Sequence, residues 1–167
     1  MNKVLRPSGR SPEALRFGEQ ELIVLRAVLA AAAPEEGCAL LLGPVLGGHW
    51  LVSCVWPCLN AWQPAAERRR RFALDPREQL LAQRWARERG WQVHGSAHSH
   101  PTSPPVPSAT DLALAVTPTL MVIGAAGPAP DGEPALIRAW WLDQESGSAP
   151  RPLPLLPGET ASGDHGQ

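Results

Sequence analysis

The chain has 167 residues, 44% of them hydrophobic and 19% charged, with a formal net charge of −1. That length suits one domain with its own core, and the near-neutral charge creates no whole-chain field demanding nucleic acid or an acidic partner. No apolar run reaches the roughly 18 residues of a membrane span, and Met1–Gly9 lacks the apolar segment of a secretory signal, so the expectation is a cytoplasmic protein without a membrane partner.

In chain order, residues 1–12 are polar with Pro and Gly and read as a mobile tail. Ala14–Phe17 reads as a short strand. Glu19–Ala33 reads as a helix, with Leu22, Leu25 and Leu29 at i, i+3 and i+7. It is apolar nearly all round except for Arg26, which predicts deep burial. Pro34 ends it, and Cys38–Leu42 follows as an apolar strand. Gly43–Gly48 reads as a turn, His49–Trp56 as a strand with His49 at its surface, and Pro57–Pro64 as a loop. Glu67–Arg71 is a charge run, either a solvated face or a docking patch for an acidic partner. Phe72–Leu74 reads as a short strand. Asp75-Pro-Arg-Glu78 starts a helix, with Asp as N-cap and Pro at N1, and Gly90 stops it. Trp91–Ala97 is a strand, Thr119–Gly124 and Ala135–Leu142 are two more, and Pro128–Pro134 is the loop between the last two. The Pro, Gly and Ser content of 146–167 predicts a disordered tail, which includes His165. The domain is expected over 13–145, as an α/β fold with one curved mixed sheet and helices packed on it. The odd set Cys38, Cys54 and Cys58 reads as small buried hydrophobes in a reducing compartment, because no second half-site accompanies Cys54 and Cys58.

The chemistry concentrates in 95–111. Strand alternation puts Gln92, His94, Ser96, His98 and His100 on one face. His98 and His100 then stand about 6.6 Å apart, close enough to share one ion, while His94, about 13 Å away, is not. Asp111, in the first turn of a helix opening at Ser108, supplies a hard anionic oxygen as third ligand. Two His and one carboxylate leave a fourth tetrahedral position open, the mark of a catalytic rather than a structural zinc. Ser108-x-x-Asp111 is equally an ordinary capping box. On the residues alone, Glu36 is either a solvated loop carboxylate or, beside a buried strand end, a base with a raised pKa.

His98-Ser-His-Pro101, the seven-residue gap, Ser108 and Asp111 resemble the motif of the JAMM (MPN+) zinc metalloproteases. That family's upstream segment, Glu-x-Cys-Gly-φ-φ-x-Gly with φ apolar, is matched by Glu36, Cys38 and Gly43 at the same offsets, with Ala39 in place of the usual glycine. Ser96-Ala97 replaces a pair that is often bulky. The resemblance covers roughly 14–143. It implies a single JAB/MPN-like domain, one Zn²⁺ on His98, His100 and Asp111, Glu36 as general base, and Ser108 as a donor to the developing oxyanion. The implied reaction is hydrolysis of an amide or isopeptide bond after the C-terminal glycine of a ubiquitin-like or sulfur-carrier protein with a diglycine tail. The loop Thr102–Pro107 would line the groove for that tail. Two alternatives share the motif: a non-catalytic MPN scaffold, which would lack a ligand, and a RadC-like DNA-associated protein, which usually has Asn where Ser99 stands. A zinc deaminase is excluded, because no His-x-Glu accompanies a Pro-Cys-x-x-Cys.

Overall fold

The structure is a computed structural model that describes residues 10–125, 131–143 and 148–158. The expectations for residues 1–9, for 128–130 of the Pro128–Pro134 loop and for His165 lie outside the described residues. The architecture is mixed α/β. A six-stranded sheet carries β2 (Cys38–Gly43), β5 (Cys54–Cys58), β6 (Gln92–His100), β7 (Thr119–Ala125), β8 (Ile137–Leu142) and β9 (Arg151–Leu153) in the order β5-β2-β6-β7-β8-β9. Within it, only β6 and β7 run parallel. A second sheet, which the sequence did not suggest, is built from β1 (Ala14–Phe17), β3 (Val45–Leu46), β4 (His49–Val52) and β10 (Leu155–Pro157), in the order β10-β1-β4-β3.

The main core lies between the two sheets and helix α1 (Glu19–Ala31). It joins Leu15, Phe17, Trp50 and Val52 of the small sheet to Leu41, Leu120, Val122 and Trp141 of the large one, with Leu25 and Leu29 of α1. The other face of the large sheet packs Leu40, Leu42 and Val93 on Ala82 and Ala86 of helix α2 (Pro76–Arg87). Helix α2 starts as expected: Asp75 accepts from the Arg77 N–H, and Pro76 occupies N1. Gly90, with φ +68°, takes the left-handed conformation that lets the chain turn back toward β6.

Several expectations are corrected. Helix α1 is not deeply buried: only Leu25 and Leu29 are buried, while Ile23 and Val24 are 52% and 44% exposed, because the sheets cover one side of it only. The strand expected over His49–Trp56 is two strands, and the chain changes sheet at Ser53 between them. The Gly43–Gly48 turn contains the short strand β3. Phe72–Leu74 is not a strand but part of a loop pinned to Asn60. The tail from Ser146 is not disordered where it is described: β9 pairs antiparallel with β8, and β10 pairs parallel with β1. Its prolines are tolerated because both strands lie at sheet edges, where a missing N–H leaves no ladder partner unsatisfied. Finally, His94 leaves the face of His98. The pairing of β2 with β6 jumps from Leu41↔Gly95 to Leu42↔Val93, which makes His94 the extra residue of a bulge. His94 therefore turns into the main core, where it stacks on Trp50 and bonds the Leu51 carbonyl at 2.8 Å.

Candidate metal centre

Strand β6 is the middle of the large sheet, held on both sides by β2 and β7, so its C-terminal end is a rigid platform. His98 and His100 leave it on one face with ring centroids 5.0 Å apart. A proline-rich loop then leads to helix α3 (Ala109–Leu114), which Ser108 caps reciprocally: the Ser108 Oγ accepts from the Asp111 N–H at 3.1 Å, and the Ser108 N–H donates to Asp111 Oδ2 at 2.7 Å. This cap fixes the Asp111 side chain against the two imidazoles. The His98 and His100 Nε2 atoms are 3.1 Å apart, and they stand 3.3 Å from Asp111 Oδ1 and 3.2 Å from Oδ2, respectively.

These three side chains are buried and form a group that could hold a metal. A tetrahedral ion with bonds of about 2.0–2.1 Å has ligand atoms about 3.3–3.4 Å apart, and the observed separations of 3.1–3.3 Å fall beside that edge length. The donor set, two nitrogens and one carboxylate, suits a borderline cation such as zinc. The Pro104 carbonyl lies 2.7 Å from His100 Nδ1 and so turns Nε2 toward the centre. Phe72 stacks on His98 with centroids 4.4 Å apart and planes 19° apart, which fixes that ring by packing. His98 Nδ1 is buried without a partner among the described residues.

Electrostatics separates the groups. Burial alone would raise the Asp111 carboxyl, but hydrogen bonds with His100 and His98 outweigh it and hold the group ionised, below the usual carboxylate range. Complete burial pushes His98 down and so keeps it neutral, against the pull of Asp111. His100 is also opposed by burial, yet its bonds with Asp111 and the Pro104 carbonyl raise it.

Glu36 reaches this centre across the sheet. Cys38, two residues on, pairs in register with His98. Gly37 is locked to Ser99 twice: its N–H donates to Ser99 Oγ at 2.8 Å, and its carbonyl accepts the Ser99 N–H at 3.0 Å. A side chain at Gly37 would press into the Leu29 backbone, 2.8 Å from its carbonyl oxygen. The Glu36 N–H donates to the Arg68 carbonyl, and Asn60 Nδ2 donates to the Glu36 carbonyl. Glu36 is 5% exposed, with its Oε2 unpartnered among the described residues. Burial pushes it up to about 7, the charge of His100 opposing and that of Asp111 assisting. The solvated-carboxylate reading of Glu36 therefore does not hold.

The structure thus brings His98, His100, Asp111, Ser108 and Glu36 into one neighbourhood. It leaves His94 in the core and His49 in the small sheet, accepting from Arg16. The three cysteines are free, and burial raises Cys38 to about 12 and Cys58 to about 11, which makes both poor nucleophiles. Sequence reasoning missed Phe72, Asn60 and the Pro104 carbonyl as supports of the site. A loop aromatic, a loop amide and a backbone oxygen leave no spacing to read.

Comparison with known proteins agrees with this geometry. Residues 19–143 match the family described as prokaryotic homologs of the JAB domain. A search of curated proteins finds no match. Among solved structures, a protein of Desulfitobacterium hafniense is 27% identical with a TM-score of 0.75, covering 92% of this chain and 99% of its own. A protein of Salinibacter ruber is 32% identical with a TM-score of 0.64, covering 87% and 93%. A JAB1/MPN domain protein from Archaeoglobus fulgidus, 17% identical with a TM-score of 0.50 over 86% and 98%, shares the fold. On a match that spans most of its length, the chain belongs to the prokaryotic JAB-domain family.

Proposed function

We propose that this domain is a zinc-dependent hydrolase. It cleaves an amide or isopeptide bond after the C-terminal glycine of a ubiquitin-like or sulfur-carrier protein. The observation that carries the reading is the buried Glu36 carboxyl, whose Oε2 has no partner among the described residues and which feels the charges of His100 and Asp111, two of the three converging ligand candidates. A scaffold has no need to hold an acid in that environment, because an unsatisfied buried carboxyl costs stability.

His98, His100 and Asp111 would hold the ion, which supplies Lewis acidity, bringing a water's pKa towards 7 and polarising a carbonyl. The chain's own residues do the rest. Glu36, held near neutrality by burial, takes a proton from the attacking water and returns it to the departing amine. The Ser108 Oγ uses an acceptor lone pair on the Asp111 N–H, so its hydroxyl hydrogen remains free to donate to the developing oxyanion. A cavity of about 320 Å³ beside Asp111, bordered by Phe72, Ser96 and Met121, suits the narrow acyl-side chain, and no residue of Thr102–Pro107, the loop expected to line that groove, borders it. Ser96 is small, which keeps that wall open, while Ala97 points into the main core.

The test is metal analysis paired with activity on a C-terminally extended carrier protein. His98→Ala is expected to lose zinc. Glu36→Gln is expected to keep zinc and lose hydrolysis by about 10²-fold or more, the usual scale for a removed acid–base group. Full activity in Glu36→Gln would sink the proposal.

A further inference from the structure

We propose that the cavity lined by Arg69 and Arg70 is an anion subsite for the departing half of the substrate, so that the amine released carries a carboxylate. This rests on the reading of the site as an amide hydrolase. The four arginines Arg68–Arg71 have different fates. The Arg68 Nε donates to the Trp62 carbonyl at 2.8 Å, and Arg71 pairs with Glu67 and lies over the Trp62 ring. The Arg69 and Arg70 side chains, both exposed, make no hydrogen bond or ion pair among the described residues. Both border a cavity of about 620 Å³, whose other walls include Pro34, Pro101 and Thr102. No carboxylate lines it among the described residues. Ala30, near the C-terminal end of α1, also lines it, and that helix has no basic residue in its last turn. The helix dipole contributes roughly half a negative charge there, against two full guanidinium charges. A net positive cavity remains.

The side of the site on which this cavity lies decides what it binds. Pro34 is two residues from Glu36, and Pro101 and Thr102 directly follow His100. The smaller cavity is bordered instead by Asp111, Phe72 and Ser96. In the hydrolysis, water oxygen bonds to the carbonyl carbon, the C–N bond breaks, and Glu36 passes the water's proton to the amine nitrogen. The amine must therefore leave on the Glu36 side; the basic cavity, whose walls include Pro34, Pro101 and Thr102, the near chain neighbours of Glu36 and His100, is the one assigned to it, and the cavity bordered by Asp111 is assigned to the acyl part. Two unpaired guanidiniums there select a carboxylate, which they bind through charge-assisted forks.

The experiment compares two substrates with the same acyl part ending in Gly-Gly, one releasing glutamate and the other releasing glutamine amide. The zinc-loaded full chain is expected to favour the glutamate form by about tenfold in kcat/KM, and less so in high salt. Arg69→Ala/Arg70→Ala is expected to bring the ratio near one, and Arg69→Lys/Arg70→Lys to restore part of it. Calorimetry on the metal-free chain gives a second readout, with the peptide Glu-Ala-Ala expected to bind about tenfold tighter than the Gln-Ala-Ala amide, and only when both arginines are present. Equal binding and equal rates for the two charge forms overturn the subsite. Charge-dependent binding without cleavage of either substrate keeps the subsite and overturns the hydrolase reading instead.

Discussion

Ser99 shows how a residue between two candidate ligands can matter more than its chemistry suggests. It is fully buried, points away from the ligand face and accepts the Gly37 N–H. Removing that hydroxyl leaves a buried backbone donor without its partner, at a cost of about 1–3 kcal/mol. Ser99→Ala is therefore expected to lower the urea midpoint by that equivalent. It is also expected to reduce hydrolysis more than zinc content, since it loosens Glu36 and leaves the imidazoles in place. Unchanged stability would mean that water replaces the bond. The candidate ligands were legible in the sequence because their spacing is local: alternation pairs His98 with His100, and the capping box fixes Asp111 against Ser108. Glu36 was half legible. Its offset to Cys38 and Gly43 pointed to it, but its burial depends on Arg68 and Asn60, residues that only the fold brings near.

At the scale of elements, β6 carries both the site and the most informative failure of the sequence pattern. Period-two alternation puts His94 with the ligands, and one bulge moves it to the opposite face. The one local mark of that bulge in β6 is Gly95, since a glycine inside a strand often accompanies a bulge, but the shift itself arises from pairing with β2. Helix α2 shows the contrast: Asp75, Pro76 and the stop at Gly90 are local signals, and the structure follows them. Burying His94 has a consequence for pH. Burial depresses it to about 4, only partly offset by its bond to the Leu51 carbonyl, against an ordinary value of 6.5. Above pH 6.5 it is neutral in both states and adds no pH dependence. As pH falls from 6.5 to about 4, the unfolded chain gains a proton that the folded chain refuses, so stability is lost, by roughly 3 kcal/mol in all. His94→Gln keeps a donor for the Leu51 carbonyl and removes the titration. Urea unfolding at pH 7 and pH 4.5 should then show a smaller loss for the variant by roughly 2–3 kcal/mol. Equal losses would mean that His94 is already protonated in the folded core.

At the scale of the whole molecule, the two sheets are tied together by single residues. Ser53 separates β4 in one sheet from β5 in the other, and Pro154 separates β9 from β10 in the same way. Proline suits such a crossing because it has no N–H to place in either ladder, and its carbonyl accepts the Leu15 N–H at 3.0 Å. Composition read this stretch as disordered because Pro and Gly depress any local propensity. What orders it is an edge offered by β1 and another offered by β8, and both are nonlocal. The segment also contributes apolar surface: Leu153 is buried in the main core, and Leu155 packs against it. Two leucines at about 1.5–3 kcal/mol each amount to a large part of the 5–15 kcal/mol that holds a typical domain folded. Ending the chain at Pro150 is expected to lower unfolding free energy by about 3–6 kcal/mol, and Leu153→Ala alone by about 2–5 kcal/mol, both read from urea midpoints. The site strand β6 stands three strands in from β9. At temperatures where the shortened chain remains folded, zinc stoichiometry should therefore match that of the full chain. A shortened chain with an unchanged midpoint would mean that β9 and β10 decorate the sheets without holding them together. A folded one that fails to take zinc would mean that the two sheets set the geometry of the ligands jointly.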